Sequence, residues 1–415
     1  MSATNAGESG NGMSVIIPTY NRGKLLCEAL RRCAEVSRGL PVEFIVIDDG
    51  SRDDTPERLA GLEGVVPNLQ WRSIPNGGPG QARNLGASLA RKDIVLFFGD
   101  DIRPCNDDFF RVHLDAHEKF PKLGSAVLGK VIWPSGPNDN ANFVMQHIQG
   151  RGGEQFGYYD FQPYTWLDYR FFYTCNVSVK RRLVDDWMTE GFSPAFVAAA
   201  YEDTEFAYRM QKRCGLAVFY TPGSVGEHWH EYSIETFVNR QLSAGMMLKV
   251  FLDLHPELAG AFDDRDVIQA LASDRFREDT EMLAHVTAVF EGITSLAKLL
   301  SHTQRLGSQN WHNDLLTAVF RLAHSEGVLM AYATPSSNLT AGRLKALEKF
   351  QETILGSIHR EVLGRQSLQS LFPKMLADAI HIPPQSTLRQ KLGRVPGVRP
   401  IYRMMKSYLN AIRMR

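Results

Sequence analysis

The stretch Val42-Glu-Phe-Ile-Val-Ile-Asp-Asp-Gly-Ser51 joins an apolar run to two adjacent carboxylates and a turn. Such a run, bounded by Asp, Gly and Ser, predicts a buried strand. Ser14-Val-Ile-Ile-Pro18 and residues 93–98 are similar runs, while residues 24–36 and 80–90 have apolar residues at helical spacing. Strands that alternate with helices predict an α/β domain built on a mostly parallel sheet.

Three acidic pairs lie where predicted strands end or a predicted helix begins. Asp48-Asp49 and Asp100-Asp101 each follow a strand, and Glu202-Asp203 precedes a helix predicted at residues 204–212. In open parallel sheets, ligands bind beyond the carboxyl ends of the strands. We therefore expect the first two pairs to face one crevice.

Each acidic pair also has a simpler interpretation, and the residues alone leave both open. Asp100-Asp101 fits a divalent cation and a ribose hydroxyl as well as it fits a turn with a helix-capping Asp. Asp49 fits a contact to a base or ribose, although an Asp-Gly turn before a helix explains it more simply. Asp203 fits a general base for an acceptor hydroxyl, while acids at a helix start also offset the helix dipole.

Three further features carry weaker signals. Asn76-Gly-Gly-Pro-Gly-Gln-Ala-Arg-Asn84 places small residues before a helix, where Arg83 could pair with a phosphate, but it is neither a P-loop nor a dinucleotide fingerprint. His228 is preferred over His230 as a ligand that completes a metal shell, although a lone histidine is more often structural. The aromatic residues of 156–173, Trp166 among them, are expected mainly in a core, with one or two lining an acceptor groove.

The composition is that of an ordinary globular protein, with 415 residues of which 44% are hydrophobic and 22% charged. At this length we expect two domains. The 5 cysteines form no CxxC pair, which argues against a disulfide framework and a thiolate zinc site. There is no apolar run of about 18 residues, and residues 1–12 are polar, so we expect a cytoplasmic protein without a signal peptide or nucleic-acid partner.

In their order along the chain, these segments resemble the inverting family 2 glycosyltransferases of the GT-A fold over residues 13–245. The matching segments are Ser14-Val-Ile-Ile-Pro-Thr-Tyr-Asn-Arg22, Val46-Ile-Asp-Asp-Gly-Ser51, Asn76-Gly-Gly with Ala82-Arg-Asn-Leu-Gly86, Leu96-Phe-Phe-Gly-Asp-Asp101, Asn176 with Arg181 or Arg182, and Tyr201-Glu-Asp-Thr204 through Arg209. The resemblance implies a Rossmann-like GT-A fold, with a mostly parallel sheet flanked by helices.

The resemblance also implies an activity. It predicts a metal-dependent, hexosyltransferase-type enzyme that moves a sugar from a nucleotide-diphosphate sugar, with UDP-sugar favoured, to a hydroxyl group. The acceptor would be a saccharide or lipid-linked saccharide in glycan or polysaccharide biosynthesis.

Individual residues take roles from the same resemblance. The residues expected to bind the nucleotide-sugar are Pro18, Tyr20 and Asp49 at the base, Arg22 and Arg83 near the diphosphate and ribose, and Asp100 near the ribose and metal. Asp101 is the expected ligand of Mn²⁺ or Mg²⁺, and His228 is a metal ligand in some relatives only. Asp203 matches the catalytic base, and Glu202, Trp166 and Asn176 are placed in the acceptor region.

One departure from the family pattern concerns Gly99. Many relatives have three consecutive acids where this chain has Gly99-Asp100-Asp101. The last acid, which is the expected metal ligand, is retained. The missing first acid leaves the nucleotide preference less constrained.

Beyond residue 245 the resemblance ends and amphipathic stretches dominate, such as residues 264–300 and 339–358. We predict a flexible tail at 1–12, the glycosyltransferase domain at 13–245, a helical domain at 246–380 as the surface for any homo-oligomer, and a basic amphipathic tail at 381–415. After Asp378 the chain has 8 Lys and Arg residues and no acidic residue. Residues 385–415 fit a helix on an anionic membrane surface, which would make the protein peripheral on the inner face of the membrane, and equally a helix docked on its own domain.

Two other classes of function remain alternatives. A metal-dependent sugar nucleotidyltransferase also uses paired acids, but it is expected to have a Gly-rich, Lys- or Arg-bearing loop after the first strand, and Thr19-Tyr-Asn-Arg22 is not such a loop. A non-catalytic scaffold that binds nucleotide-sugar or glycan is less favoured, because both a candidate base and a candidate metal ligand are present. Turnover of nucleotide-sugar to free nucleoside diphosphate distinguishes the three.

Overall fold

The computed structural model describes residues 10–134, 142–150, 155, 157–187 and 190–258, together with the single residues 316, 320, 323, 324 and 327. The chain divides into one compact unit of Met1–Asn140 and Gln155–Glu231 and a second of Ala141–Glu154 and Tyr232–Arg415. Every candidate site residue lies in the first unit. The amphipathic stretches at 264–300 and 339–358 and the basic tail at 381–415 lie outside the described residues.

The described residues contain nine strands in a single sheet. Their bounds are β1 Gly10–Thr19, β2 Val42–Asp48, β3 Leu69–Ser73, β4 Lys92–Phe98, β5 Ile102–Pro104, β6 Ser125–Ile132, β7 Trp166–Leu167, β8 Asn176–Lys180 and β9 Ala217–His228. The strand order is β3-β2-β1-β4-β8-β6-β9-β5, and β7 pairs with β9 beside this path.

Helices connect the strands and also follow the sheet. Within the described residues they are α1 Gly23–Val36, α2 Thr55–Ala60, α3 Pro79–Ser88, α4 Phe109–Lys119, α5 Phe143–Gln149, α6 Arg181–Trp187, α7 Glu202–Cys214 and α8 Ile234–Leu254. Short 3₁₀ turns lie at Gly157–Asp160, Tyr169–Phe171 and Pro256–Leu258. The predicted domain boundary after residue 245 falls within α8, whereas the two compact units divide at Tyr232.

The first half of the sheet is parallel, as predicted. Strands β3, β2, β1 and β4 pair in parallel, and Thr19 at the end of β1 lies opposite Asp48 at the end of β2. Parallel strands end at the same edge of a sheet, so the loops that follow β1, β2 and β4 share one edge. The predicted α/β class and mostly parallel sheet of the GT-A type are confirmed.

The second half of the sheet mixes strand directions, which the sequence did not predict. Strand β8 runs antiparallel to both β4 and β6, while β6 and β9 are parallel. Strand β5 pairs antiparallel with the end of β9, and this places Ile102 opposite His228. The chain after Asp101 is thereby joined directly to the segment that contains His228.

Helices cover the sheet with apolar faces. The buried residues of α1 include Leu26, Leu30 and Cys33, which recur at the spacing of one helical face. Helix α3 approaches the sheet closely at Gly86, where a Cβ atom would lie 2.4 Å from Ile16 Cγ2. A side chain at this position would therefore push α3 away from β1. No helix in the described part of the chain is long and apolar enough to span a membrane.

Candidate active site

The loop after β1 contacts the acidic pair that follows β4. Thr19 Oγ1 donates a hydrogen bond of 2.8 Å to Asp100 Oδ2. Arg22 Nη1 lies 3.1 Å from Asp100 Oδ1 and 2.8 Å from Asp101 Oδ2. Arg22 thus bridges both carboxylates. A crevice shared by the Asp48-Asp49 and Asp100-Asp101 pairs stays a prediction.

The pKa values of the two carboxyl groups in this pair are shifted in opposite directions. Burial, with a further contribution from the Asp101 charge, raises the pKa of Asp100 to about 6 against the opposing effect of Arg22. Burial also acts to raise the pKa of Asp101, but His228 and Arg22 outweigh it and hold that pKa below its usual range. Asp101 is therefore the member of the pair that stays ionised.

His228 and His230 approach Asp101 from the end of β9. His228 Nε2 lies 3.2 Å and His230 Nδ1 lies 3.8 Å from the same atom, Asp101 Oδ2. The backbone N–H of Trp229 donates a 2.8 Å hydrogen bond to the carbonyl oxygen of Asp101. A carboxylate and an imidazole are thus adjacent, and the metal site predicted at these two residues stays a prediction.

Asp101 and His228 fit a divalent cation that a bound substrate also coordinates. Within the described residues, no group of three or more His, Cys, Asp and Glu side chains could hold a metal ion. Mg²⁺ and Mn²⁺ at phosphate-binding sites typically take one or two protein ligands and complete their coordination with phosphate oxygens and water. Asp101 and His228 satisfy that smaller requirement.

Asp48 and Asp49 both bind their neighbouring loops. Asp48 accepts hydrogen bonds from the Ser51 backbone N–H at 3.0 Å and the Ser73 hydroxyl at 2.7 Å. Asp49 accepts from the backbone N–H groups of Gly77 at 2.8 Å and Gly78 at 2.9 Å. The Asp49 carboxylate therefore shapes the glycine loop, and its predicted contact to a base stays a prediction.

The glycine loop needs glycine at residue 78. Gly78 has φ +90°, and a Cβ atom there would lie 3.2 Å from the carbonyl oxygens of Phe196 and Val197. Side chains are disfavoured both by this left-handed conformation and by the nearby backbone. The loop thus packs against the segment that leads to α7.

Arg83 and Glu202 form a buried ion pair. Arg83 Nη1 lies 2.7 Å from Glu202 Oε1, and the two residues are 8% and 3% exposed. Arg83 Nε and Glu202 Oε2 are also buried and have no hydrogen-bond partner among the described residues. The structure gives Arg83 a carboxylate partner at the start of α7, next to Asp203.

Asp203 lies in the first turn of α7. Its Oδ1 accepts a 2.8 Å hydrogen bond from the Thr204 backbone N–H, whereas Oδ2 has only long contacts of 3.5 and 3.4 Å to Thr174 N and Oγ1. Burial and then the charge of Glu202 raise the pKa of Asp203 to about 6, against the effect of Arg83. A loosely held carboxylate oxygen with this pKa can accept a proton near neutral pH.

Strained backbone precedes two of these side chains. Asn21 has φ 52° and Tyr201 has φ 62°, the left-handed region that non-glycine residues rarely adopt. They directly precede Arg22 and Glu202. Such conformations cost about 1 to 3 kcal/mol each and concentrate at functional sites.

A comparison with known proteins identifies the segment that contains most of this site. Residues 14–188 match the family model described as "Glycosyl transferase family 2". Within this segment the chain is similar to glycosyltransferase family 2. The predicted resemblance is therefore confirmed for residues 14–188.

The individual relatives of this chain are distant. The validoxylamine A glucosyltransferase of Streptomyces hygroscopicus subsp. jinggangensis is 26% identical over 329 residues, which cover 71% of this chain and 75% of that protein. The minor teichoic acid biosynthesis protein GgaA of Bacillus subtilis is 37% identical over 93 residues, which cover 21% of each chain. The solved structure of S. aureus TarS 1-349 with UDP has 16% identity and a TM-score of 0.42, covering 84% of this chain and 92% of that chain.

Two further predicted nucleotide contacts lie beside the same loop. Pro18 is the second-last residue of β1 and pairs with Ile47. Tyr20 follows the strand and is 42% exposed. The structure thus brings Pro18, Tyr20, Arg22 and Asp100 to one edge of the sheet.

Asn176 is not brought into this cluster. It is 0% exposed, its Oδ1 lies 3.1 Å from His113 Nε2, and its Nδ2 donates to the Lys130 and Ser224 carbonyl oxygens at 3.4 Å each. Its polar atoms are therefore engaged in joining α4 to the strands.

Trp166 also lies apart from the cluster. It is 44% exposed, and it pairs with Phe219 near the start of β9, whereas His228 is the last residue of that strand. Its ring packs against Phe120 and Phe219. An acceptor contact at Trp166 stays a prediction that no contact to the acidic cluster supports.

Thr19 and Trp133 were not predicted from the sequence. Thr19 lies directly before the predicted contact Tyr20, so its position at the end of β1 was a usable signal. Trp133 stacks on His228 with ring centroids 4.8 Å apart and an interplanar angle of 20°. Nothing local marks Trp133, because the pairing of β6 with β9 brings the two rings together.

Proposed function

We propose that this chain is an inverting glycosyltransferase that moves a sugar from a nucleotide-diphosphate sugar, with UDP-sugar favoured, to a hydroxyl of a saccharide or lipid-linked saccharide. The observation that carries the proposal is Asp203. This carboxyl group has a pKa of about 6, one loosely held oxygen and a buried ion pair beside it. These are the properties of a general base matched to neutral pH.

The proposed reaction is a single displacement. Asp203 accepts the proton of the acceptor hydroxyl, whose oxygen forms a bond to the anomeric carbon. The bond from that carbon to the phosphate oxygen breaks, and its electron pair leaves with the nucleoside diphosphate. Attack from the face opposite the leaving group inverts the anomeric centre.

The donor would lie against the loops at the carboxyl ends of β1, β2 and β4. Pro18, Tyr20 and Asp49 are the proposed base contacts, Arg22 is the proposed diphosphate contact, and Asp100 is the proposed ribose contact. The contact of Arg22 with both Asp100 and Asp101 supports this, since a guanidinium at that point also suits a diphosphate. Arg83, which is paired with Glu202, would act from the α7 side and help to fix that carboxylate beside the acceptor.

Asp101 and His228 are the proposed residues that hold Mn²⁺ or Mg²⁺. Their atoms Oδ2 and Nε2 are 3.2 Å apart, which supports a shared ligand. When bound, the cation would neutralise the negative charge that develops on the departing diphosphate. Mn²⁺ and Mg²⁺ are both candidates, because each is suited to carboxylate oxygen ligands such as that of Asp101.

The test of the function is release of nucleoside diphosphate from UDP-, GDP- and dTDP-sugars by the full chain, with and without an acceptor. Asp203→Asn should lower turnover by about 10²–10⁴-fold, the usual contribution of a general base, while nucleotide affinity changes little. Asp185→Asn, an exposed carboxylate of α6 paired with Arg181, is the matched control and should retain full activity. Near-normal turnover by Asp203→Asn would contradict the assignment.

The same assay separates the alternatives. A sugar nucleotidyltransferase would release pyrophosphate when it forms a nucleotide-sugar, and a binding scaffold would bind the nucleotide without turnover. Only acceptor-dependent release of nucleoside diphosphate supports glycosyl transfer.

We also propose that residues 385–415 contact an anionic membrane surface. The absence of any acidic residue after Asp378 supports this, because a basic segment is attracted to anionic lipid. Sedimentation with anionic liposomes of the full chain and of a chain that lacks 385–415 tests the idea. Equal sedimentation of the two would refute it.

A further inference from the structure

Trp133 and His228 are neighbours on adjacent strands. The parallel register of β6 and β9 pairs Ile132 with Glu227, so the next residue of each chain segment is Trp133 and His228 respectively. They are 7% and 5% exposed. Their rings are stacked, with centroids 4.8 Å apart and planes 20° from parallel.

His230 lies close to parallel with the His228 ring as well. Its centroid is 5.9 Å away and its plane is 16° from that of His228. While the ring planes are stacked in this way, the edge of His228 is directed at Asp101, with Nε2 3.2 Å from Oδ2. If the imidazole rotated out of its present plane, it would clash with the Trp133 indole that is stacked on it.

The backbone around His228 is fixed by separate interactions. Ile102 of β5 pairs with His228, and the Trp229 N–H donates to the Asp101 carbonyl oxygen at 2.8 Å. The Trp229 ring lies 3.9 Å from the Arg103 guanidinium. Trp229 is therefore a different tryptophan from the one that stacks on His228. Strand pairing thus fixes the position of the His228 backbone, and the stacked Trp133 indole restricts rotation of the His228 imidazole ring.

We propose that Trp133 is a positioning residue that holds the His228 imidazole edge-on to Asp101 and thereby sets the affinity of this site for its divalent cation. The inference rests on the proposed function, in which Asp101 and His228 hold that cation. Residues that orient a metal-binding histidine typically change metal affinity by about 10–100-fold when they are replaced. A bulky flat ring can do this by packing alone, because a misoriented imidazole directs its lone pair away from the ion.

The experiment measures binding of MnCl₂ to the full chain in the presence of UDP, from the electron paramagnetic resonance signal of free Mn²⁺. Trp133→Leu removes the flat ring, and Trp133→Phe keeps one. His228→Ala removes the ligand itself. Trp71→Leu is the matched control, since Trp71 is a partly buried tryptophan of β3 that donates to Glu63.

The expected result is a rank order of Mn²⁺ affinity. Trp133→Leu should weaken binding about tenfold, Trp133→Phe should restore most of that loss, and Trp71→Leu should match the unmodified chain. Affinity for UDP without metal should be the same in all of them, which a general loss of structure would not allow. If Trp133→Leu binds Mn²⁺ normally while His228→Ala does not, the positioning role is refuted and the metal site stands.

Two further outcomes bear on the role of Trp133. If His228→Ala binds Mn²⁺ as tightly as the unmodified chain, the proposed ligand fails and the inference fails with it. If Trp133→Leu does not fold, the difference in tryptophan emission between the unmodified chain and Trp133→Phe decides. An Mn²⁺-dependent change in that difference, lost in His228→Ala, supports the inference, and no such change overturns it.

Discussion

Among single residues, Asp203 carries the clearest link between environment and chemistry. Its pKa of about 6 arises from burial and from the neighbouring Glu202 carboxylate. The raised pKa makes the Asp203 carboxylate a stronger base. It also means that the charged carboxylate lowers the stability of the folded protein. Activity and stability should therefore respond to the pH in connected ways.

The rate of transfer should depend on the ionisation of Asp203. Since only the deprotonated carboxylate accepts a proton, kcat/KM should fall about tenfold for each pH unit below about 6. Glu202→Gln should move this midpoint to lower pH, because it removes a charge that raises the pKa of Asp203. A midpoint that does not move in Glu202→Gln would assign the profile to another group.

The stability of Asp203→Asn should show the matching effect. The folded pKa of Asp203 lies above its value of 3.8 in the unfolded chain, so the folded state binds the proton more tightly. Above pH 6 the charged carboxylate destabilises the folded state by about 1 to 3 kcal/mol. Asp203→Asn should therefore raise the free energy of unfolding at pH 8, with the gain disappearing as the pH falls from 6 to 4.

Urea unfolding of the two proteins across this range measures the difference. The control Asp185→Asn should show no comparable gain at pH 8. A difference that grows as the pH falls would contradict the raised pKa of Asp203.

At the scale of elements, a buried hydrogen-bond chain joins α4 to three strands. Lys180 Nζ lies 3.2 Å from His117 Nδ1, and His117 Nε2 lies 2.9 Å from Ser178 Oγ. Ser178 Oγ is 2.8 Å from His113 Nδ1, and the Nε2 of that histidine faces Asn176 Oδ1 at 3.1 Å. Asn176 then donates to backbone carbonyl oxygens on β6 and β9.

The two ends of this chain fix its direction. An ammonium group only donates and a carbonyl oxygen only accepts, so every hydrogen bond between them must run from Lys180 towards Asn176. Both histidines are therefore neutral and carry their proton on Nε2. Burial agrees with this, because it lowers the pKa of His113 to about 4 and that of His117 well below its usual value.

Nuclear magnetic resonance of the ring nitrogens checks the prediction. At pH 5, where a histidine with the ordinary pKa of about 6.5 is almost fully protonated, His113 and His117 should both appear as neutral Nε2–H tautomers. Ser178→Ala should perturb both rings, since it breaks the chain between them. An imidazolium signal for either residue at pH 5 would contradict the assigned direction.

The buried hydrogen-bond chain also helps to explain which elements were predictable from the sequence. Strands β1, β2 and β4 were found because each is an unbroken apolar run ended by polar residues. Strand β8 was missed because Asn176 and Ser178 keep it from being an unbroken apolar run. Both polar side chains take part in the buried hydrogen-bond chain. The end of β9 was missed because Pro222, Gly223 and Gly226 suggest a turn, whereas they lie within the strand.

The candidate site divides in the same way. Asp49, Asp100, Asp101, Asp203 and His228 could be proposed as site residues because each lies in a segment that resembles a family motif or follows one in order. The pairing of Arg83 with Glu202 was not, because the two are 119 residues apart and only the folded sheet brings them together. The long-range contacts of His228 with Trp133 and Asp101 belong to the same class.

For the whole molecule, ligand and metal should stabilise the fold together. A ligand at 100 times its dissociation constant raises the free energy of unfolding by about 2.7 kcal/mol. We expect MnCl₂ and UDP together to raise the melting temperature more than the sum of either alone, because the diphosphate would supply further oxygen ligands to an ion at Asp101 and His228. UDP-sugars should exceed GDP- and dTDP-sugars in this assay.

Asp101→Asn provides the test of that cooperation. It should abolish the part of the thermal shift that requires Mn²⁺ and leave the shift produced by UDP alone. A full Mn²⁺-dependent shift in Asp101→Asn would place the ion elsewhere.

The wide separation of the site residues along the chain has a consequence for how the enzyme acquires activity. Thr19 meets Asp100 across 81 residues and Arg83 meets Glu202 across 119. Contacts of such span form slowly, because a long segment must be ordered before they are made. During synthesis, the loop after β1 emerges long before the partners that complete it. Catalytic competence should therefore be the last property gained in folding, and nucleotide binding would report a finished sheet.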